Sequence, residues 1–404
     1  MSNFVNQFSE IGRLNTVMLH RPGVELEQLI PEYLERMLAE DTPHVPTAQK
    51  EHDGFKNILE SHGVNVLYLE DLFVAVMESE TRRKEFIRDY LAAARVQGES
   101  LKEAVLRYLS GKSAKELFYA VCRGVVRDEL RENAPSSLQF LVNDPYPFVI
   151  DPIPNLYFTR DISICIGNGM IISSMSMASR TRETVLMRYV HRYHPLFTQK
   201  PVPLWYDYEL GYNVEGGDVL ILSDKTLAIG CSQRTGAAAI ECIAGNVLRN
   251  GYERVLVFDL PKERQCMHLD VLFTMVDYDA FLVNPLISRN RVPIYELKLQ
   301  NGLLRAGRAG ESTARVLECA LGIPAVRFIE EGGGKPILME REHWNMGANS
   351  LAISPGNIIT YNRNDFTNEL LVKAGINVNP LCGSELSRGR GGPRCMSMPI
   401  NRGG

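Results

Sequence analysis

Between Leu26 and Leu38 the apolar residues Leu26, Leu29, Ile30, Leu34, Met37 and Leu38 recur at steps of three and four, the spacing of one helix face. The pattern predicts an amphipathic helix over 25–40, kinked at Pro31, because a proline ring removes a donor and crowds the preceding turn. Ahead of it, "TVMLHRPG" (16–23) reads as a strand closed by a Pro-Gly turn. After it, "DTPHVPT" reads as a loop leading into a further helix and then the strand "VNVLYL" (64–69).

From 71 to about 134 the pattern changes. This stretch is rich in Leu, Ala, Glu, Lys and Arg, has no proline before its end, and is broken at Gly98, Gly111 and Gly124. "SLKEAVLRYL" and "SAKELFYAVCRGVVRDEL" each open on a serine with a glutamate three residues on, the reciprocal cap of a helix start. Four or five helices are expected, forming a helical subdomain over 71–134 inserted into an α/β domain of 1–70 and 135–404.

Beyond 145 a unit repeats. "DISICIGNGMIISSMSMASR" (161–180), "GDVLILSDKTLAIGCSQR" (217–234) and "NSLAISPGNIITYNR" (349–363) share an apolar strand, a tight turn, a second apolar strand and an arginine. "HLDVLFTMVDYDAFLVN" (268–284) follows the plan without the arginine. With the N-terminal segment this makes about five copies, which predicts a closed, repeating α/β arrangement whose strand starts converge on one centre.

Composition narrows the class. The chain has 404 residues, 45% hydrophobic and 23% charged, with a net charge of -4. These are globular values without the basic footprint of a nucleic-acid or anionic-lipid binder. No secretory leader or membrane-length apolar run is visible. Eight cysteines stand apart, with no CxxC pair, which suits free thiols in the cytoplasm.

The chemistry-bearing residues fall at the starts of the repeats. "NLYFTRD" (155–161) supplies Asn155, Phe158, Arg160 and Asp161; "NVEGGD" (213–218) supplies Glu215; "CMHLD" (266–270) supplies His268 and Asp270. Singly, each reads as a solvated turn or a structural histidine; at matched positions they read as a site, with His268 suited to proton transfer near neutrality. "HRYH" (191–194) lacks a third metal ligand at a recognisable spacing, and "EGGGKP" (331–336) lacks the first glycine and the Ser/Thr of a phosphate loop. The end, "GRGGPRCMSMPINRGG" (389–404), reads either as a frayed tail or as a loop presenting Cys395. Arg390 and Arg394 would favour its thiolate. Carboxylates around a thiol would hold a cationic substrate, and a guanidinium pairs bidentately with them. Arg180 and Arg234, with Arg363 at the third equivalent place, could hold an anionic group at the other end; arginine carries both groups.

"HRPG", "PTAQKEHD" (46–53), "NLYFTRD", "EGGD", "MHLD" and above all "GRGGPRCMSMP" resemble the arginine deiminases, guanidine-modifying enzymes, over essentially the whole chain. The resemblance implies a pseudo-fivefold α/β propeller of ββαβ modules with an inserted helical subdomain, and hydrolysis of L-arginine to L-citrulline and ammonia without metal or organic cofactor. It implies that Cys395 attacks the guanidinium carbon and His268 moves protons. Asp161 and Asp270 would hold guanidinium nitrogens, and Glu215 would position the proton-transfer groups. Asn155, Arg180 and Arg234 would bind the α-carboxylate, Phe158 would line the pocket and Gly389 would meet the amino-acid end. Arg390 would be a gate that pairs with a site aspartate when substrate is absent. A homo-oligomer, dimer or tetramer, is expected, with no nucleic-acid or membrane partner. No role carries onto Lys335 or Arg341, and the closing "NRGG" departs from the family's acidic end and reads as frayed. Alternatives are amidino transfer, hydrolysis of agmatine or a methylated arginine, or a silent arginine-binding protein. In the empty site, neighbouring carboxylates should raise the thiol pKa and a bound guanidinium should lower it.

Overall fold

A computed structural model describes residues 4–130, 138–142 and 144–403. It is a mixed α/β fold with five sheets of one plan and a short two-stranded pairing. In each of the five, two strands pair antiparallel, and a strand parallel to the second joins after a helix. The first is Ser163–Ile166, Gly169–Ile172, helix Thr181–Tyr193 and Leu204–Tyr206. The second is Val219–Ile221, Thr226–Cys231, helix Ala237–Arg249 and Arg254–Asp259, extended by the hairpin Ile294–Gln300 and Leu303–Gly310. The third, Phe273–Met275, Ala280–Val283 and Arg327–Glu330, is the copy expected at 268–284. The fourth is Leu351–Ser354, Asn357–Tyr361, helix Asp365–Lys373 and Asn377–Leu381.

The fifth sheet joins the chain ends. Met398–Arg402 pairs antiparallel with Leu14–Leu19, which pairs parallel with Asn65–Tyr68 after helix Val45–Ser61. This corrects the reading of "NRGG" as frayed. Asn401 and Arg402 are in the strand, and Arg402 is buried, donating to the carbonyls of Gly12 and Ala352. Gly404 lies outside the described residues.

The expected helix over 25–40 is absent. Three single 3-10 turns, Leu26–Gln28, Pro31–Tyr33 and Glu35–Met37, stand there, and Leu38 is left-handed at φ 56°. Pro31 starts the second turn, and the break lets the Met37 and Leu38 carbonyls turn inward to accept from Asn155 Nδ2.

The helical block comprises helices Leu69–Met77, Glu80–Ala94, Glu99–Ser110 and Ala114–Arg123, followed by the 3-10 turn Arg127–Leu130. Ser113 makes the expected reciprocal cap with Glu116. Ser100 does not cap: its helix starts one residue earlier, with Gly98 before it. The block shares an apolar core with the first sheet unit; Phe86 meets Tyr189 edge to face at 5.3 Å. The far end expected for it, 131–134, and the resumption of the α/β domain at 135–137 lie outside the described residues. Among the described residues no helix is long and apolar enough to cross a membrane.

Candidate active site

The five sheet units present their first strands to one place. A short turn precedes each strand, and it sets the residue just before or within it. Asp161 lies in the turn Thr159–Ile162, Glu215 leads into Gly216–Asp218, and His268 leads into Leu269–Val271, which holds Asp270. Asn349 precedes the fourth unit's first strand and Cys395 the fifth's. Asn155, Phe158, Asp161, Arg180, Arg234, His268, Gly389, Arg390 and Cys395 line one narrow cavity, with Glu215 and Asp270 directly behind it. The residues that the resemblance assigns to the site are therefore in or against it.

The paired glycines of "EGGD" are dictated by crowding: a Cβ on Gly217 would lie 2.5 Å from His268 Nδ1. Gly391 is as constrained, its Cβ falling 2.1 Å from the Phe158 ring.

His268 Nε2 is 2.9 Å from Glu215 Oε2, and its Nδ1 is 3.7 Å from Asp161 Oδ1. Burial opposes charging the ring, but Asp161, Glu215 and Asp218 outweigh it and raise its pKa to about 9. Burial likewise opposes ionising Glu215, yet the His268 bond and the guanidinium groups of Arg234 and Arg180 lower it to about 2. The pair is thus an imidazolium and a carboxylate at neutral pH.

Cys395 is buried. Its N–H donates to Asn349 Oδ1 at 3.1 Å, its carbonyl accepts from Arg160 N–H at 3.1 Å, and its Sγ is 3.7 Å from Asp270 Oδ2. Burial first, then Asp270 and Asp161, push the thiol well up; Arg394 opposes weakly. The expected pull of nearby arginines toward the thiolate is thus present in Arg394 but outweighed, for two reasons. Arg394 is committed to Asp270, at 2.9 Å, and to Glu10, while Arg390 lies over the Trp344 ring, 3.6 Å from its centroid. The expectation that carboxylates raise the thiol holds.

Arg390 also departs from the expected aspartate pairing: no carboxylate of the described residues forms an ion pair with it. Arg180 is bound to Asp161 at 2.7 Å, to Glu183 at 2.8 Å and to the Asn155 carbonyl. Arg234 is freer, 3.7 Å from Glu215, with its buried Nε unpartnered. Arg363, the third repeat-matched arginine, is not in the cavity; it donates to Ser387 Oγ.

Three residues given no role in the sequence reading support the site. Asn349 ties Cys395 N–H to the Asp270 carbonyl. Asp218 accepts from Leu269 N–H and Ser232, fixing the His268 turn, and burial raises its pKa to about 7. Glu183 braces Arg180. Asn349 and Asp218 had a sequence signal, their place at the start of a repeat copy, and Glu183 had none.

Asp161, Glu215 and His268 offer three ligand atoms within 4.8 Å of one another, the spacing of a metal site. Protonation of His268 and the two adjacent guanidinium groups make the trio a poor cation site. His191 and His194 are structural: the first bonds the Val202 carbonyl, and the second caps Leu196 N–H. The "EGGGKP" segment forms a 3-10 turn whose Glu331 is buried against Asn284 and His343.

Among solved structures the fold is shared with an amidinotransferase of saxitoxin biosynthesis from Microseira wollei, at TM-score 0.58 and 14% identity over 99% of this chain and 98% of that one. It is also shared with a DDAH from Pseudomonas aeruginosa complexed with citrulline, at TM-score 0.53 and 14% identity over 96% and 99%. The class is thus a mixed α/β fold also found in dimethylarginine dimethylaminohydrolase and amidinotransferase enzymes. The sequence profile of arginine deiminase matches residues 35–402. An arginine deiminase of Streptococcus agalactiae is 45% identical over 404 residues, 98% of each chain, and one of Streptococcus pneumoniae is 44% identical over 406 residues, 99% of each. The chain belongs to the arginine deiminase family, hydrolases acting on carbon–nitrogen bonds of linear amidines.

Proposed function

We propose that the site hydrolyses L-arginine to L-citrulline and ammonia through a covalent adduct on Cys395. The observation that carries this reading is a pair of orphaned acceptors. Asp161 Oδ1 and Asp270 Oδ1 are buried without hydrogen-bond partners, while the Oδ2 of each is held by Arg180 or Arg394. Unpartnered buried carboxylate oxygens are costly and call for donors. A guanidinium spanning the two aspartates would supply them beside Sγ.

Its charge would also cancel the field that holds the thiol up, so substrate helps to form its own nucleophile. With the guanidinium bound, the thiol gives up its proton to solvent and attacks as the thiolate; the Sγ–carbon bond forms, and a carbon–nitrogen bond breaks as ammonia leaves with a proton from His268. The neutral imidazole then takes a proton from water as it attacks the adduct, and citrulline departs with Cys395 restored. Glu215 steadies the imidazolium. Arg234, Arg180 and Asn155 face the α-carboxylate, Phe158 packs on the substrate chain and Gly389 meets the amino-acid end. Arg390 gates the mouth from its Trp344 perch.

On this reading the five ββαβ units form a pseudo-fivefold propeller around the site, with 71–134 as an inserted subdomain and 1–70 and 135–404 as the catalytic domain. The convergence of five strand starts on one cavity supports the arrangement. A cytoplasmic setting fits eight unpaired cysteines. A homo-oligomer, dimer or tetramer, fits the exposure of Leu210 and Tyr212 on one turn.

Purified protein should release citrulline and ammonia in equal amounts from L-arginine, with EDTA leaving the rate unchanged and Cys395→Ala reducing it to background. Ornithine released with glycine as acceptor would instead mean amidino transfer, and preference for agmatine would remove the carboxylate role of the arginines. Turnover by Cys395→Ala would overturn the mechanism.

A further inference from the structure

The segment that carries Gly389 and Arg390 hangs from a buried carboxylate far from the reaction. Glu51 sits in helix Val45–Ser61, 5% exposed, within the "PTAQKEHD" stretch that the catalytic site leaves unexplained. Its Oε1 accepts from Ser384 N–H at 2.8 Å, Ser384 Oγ at 2.7 Å and Glu385 N–H at 3.2 Å. Its Oε2 accepts from Glu385 N–H at 3.0 Å and Leu386 N–H at 2.9 Å. Three successive backbone donors thus point at one carboxylate.

The strap it holds runs on into the 3-10 turn Leu386–Gly389. Arg390 N–H then bonds the Ser387 carbonyl, and Arg390 adopts φ 63°. Left-handed backbone at a non-glycine residue persists only where the surroundings impose it. Other ties on the segment are His44 N–H to Glu385 Oε2 at 2.8 Å, Arg363 to Ser387 Oγ, the Tyr157 hydroxyl to the Leu386 carbonyl at 3.3 Å, and Arg388 to Glu385 and to Asp41; each is a single contact, and the Arg388–Asp41 pair is exposed and contributes little. The five charge-assisted bonds to the one Glu51 carboxylate are the stronger hold.

We propose that Glu51 is a positioning residue that sets affinity for substrate by fixing the 384–390 strap over the cavity. The proposal rests on the arginine deiminase reading. It assigns a purpose to a carboxylate rather than an amide: every partner is a donor, so the group must be acceptor-only. In Glu51→Gln one terminal atom becomes an NH₂ facing backbone N–H groups, and the strap is released at the Ser384 or the Leu386 end. Gly389 then no longer holds its place against Tyr157, where even a Cβ would lie 1.8 Å from the hydroxyl, and Arg390 leaves the Trp344 ring.

Glu51→Gln is expected to raise KM for L-arginine about 10-fold while kcat stays within about threefold, the effect of losing one or two charge-assisted bonds from a binding element. Ser384→Ala, which removes only the hydroxyl bond, should raise KM about twofold to threefold. Acrylamide quenching of tryptophan fluorescence, with a neutral quencher indifferent to the Arg390 charge, supplies a readout independent of turnover. Trp344 is exposed and Trp205 is buried, so quenching reports on Trp344, and it should increase in Glu51→Gln as the Arg390 cation departs. Wild-type KM and unchanged quenching in Glu51→Gln would overturn the proposal, whatever the thermal midpoint does. If Glu51→Gln does not fold, a wild-type KM in Ser384→Ala overturns it. Wild-type protein inactive on arginine would instead sink the functional reading, and the quenching comparison would still decide the strap.

Discussion

His268 and Glu215 are pushed in opposite directions by the same contact, and the sign of each shift gives a pH signature. His268 is raised to about 9 from an unfolded value near 6.5, so its stabilisation is complete below pH 6.5 and is lost as pH climbs through 9. Glu215 is lowered to about 2, so its contribution is complete above its unfolded value near 4.5 and is lost as pH falls through 2. Wild-type protein should therefore exceed His268→Gln in unfolding free energy at pH 6, by on the order of 3 kcal/mol at most, and the gap should close by pH 9.5. Urea titrations at the two pH values check this. Glu183, raised to about 7 chiefly by burial, is present in both proteins and largely cancels from the comparison. A gap unchanged between pH 6 and 9.5 would mean that the imidazole is neutral in the folded site. At this scale residue type was legible in the sequence, because a histidine and three acids fell at repeat starts and the thiol stood in the closing motif. Pairing was not. That Arg180 and Arg394 each occupy one oxygen of an aspartate depends on side chains 19 and 124 residues apart.

Among the elements, two serine signatures that look alike in sequence behave differently. Ser113 accepts from Glu116 N–H while Glu116 reaches back to Ser113 N–H. Ser100 lies inside its helix, which starts at Glu99. Ser113→Ala should cost about 1 kcal/mol in thermal or urea unfolding, and Ser100→Ala less than about 0.5 kcal/mol. Neither change should alter kcat or KM, since both helices lie outside the cavity. The 25–40 segment teaches the reverse lesson. Its apolar spacing is helical, yet Pro31 and the inward carbonyls of Met37 and Leu38 divide it into single turns. Local periodicity gave way to a long-range hydrogen bond with Asn155, and no window of the sequence contains both ends of that bond.

For the whole molecule, the last strand decides more than its length suggests. Met398–Arg402 completes the fifth sheet beside Leu14–Leu19, three residues beyond Cys395. Arg402 closes it, donating to the Gly12 and Ala352 carbonyls from a buried position, where burial lowers its own pKa to about 10. Arg402→Ala takes the donor from one buried and one half-buried carbonyl and empties a buried side-chain position, and should destabilise the protein by about 2–4 kcal/mol in urea unfolding. Activity at a permissive temperature should fall as well, because the strand fixes the loop that presents the thiol. Wild-type stability in this variant would mean that the chain end is dispensable, as its composition alone had implied.

The sequence by itself determined the repeat, the helical character of the 71–123 stretch and the acids and histidine at the repeat starts, because each is written in local periodicity or in residue type at matched positions. Tertiary structure alone decided how those groups are paired and charged. Arg390 rests on a tryptophan, the thiol is held protonated by burial beside Asp270, His268 is a cation, and the closing strand is buried rather than frayed. Each of these depends on which other segment lies within a few ångströms and on how much water is excluded there. Those quantities arise only when five separated strand starts meet.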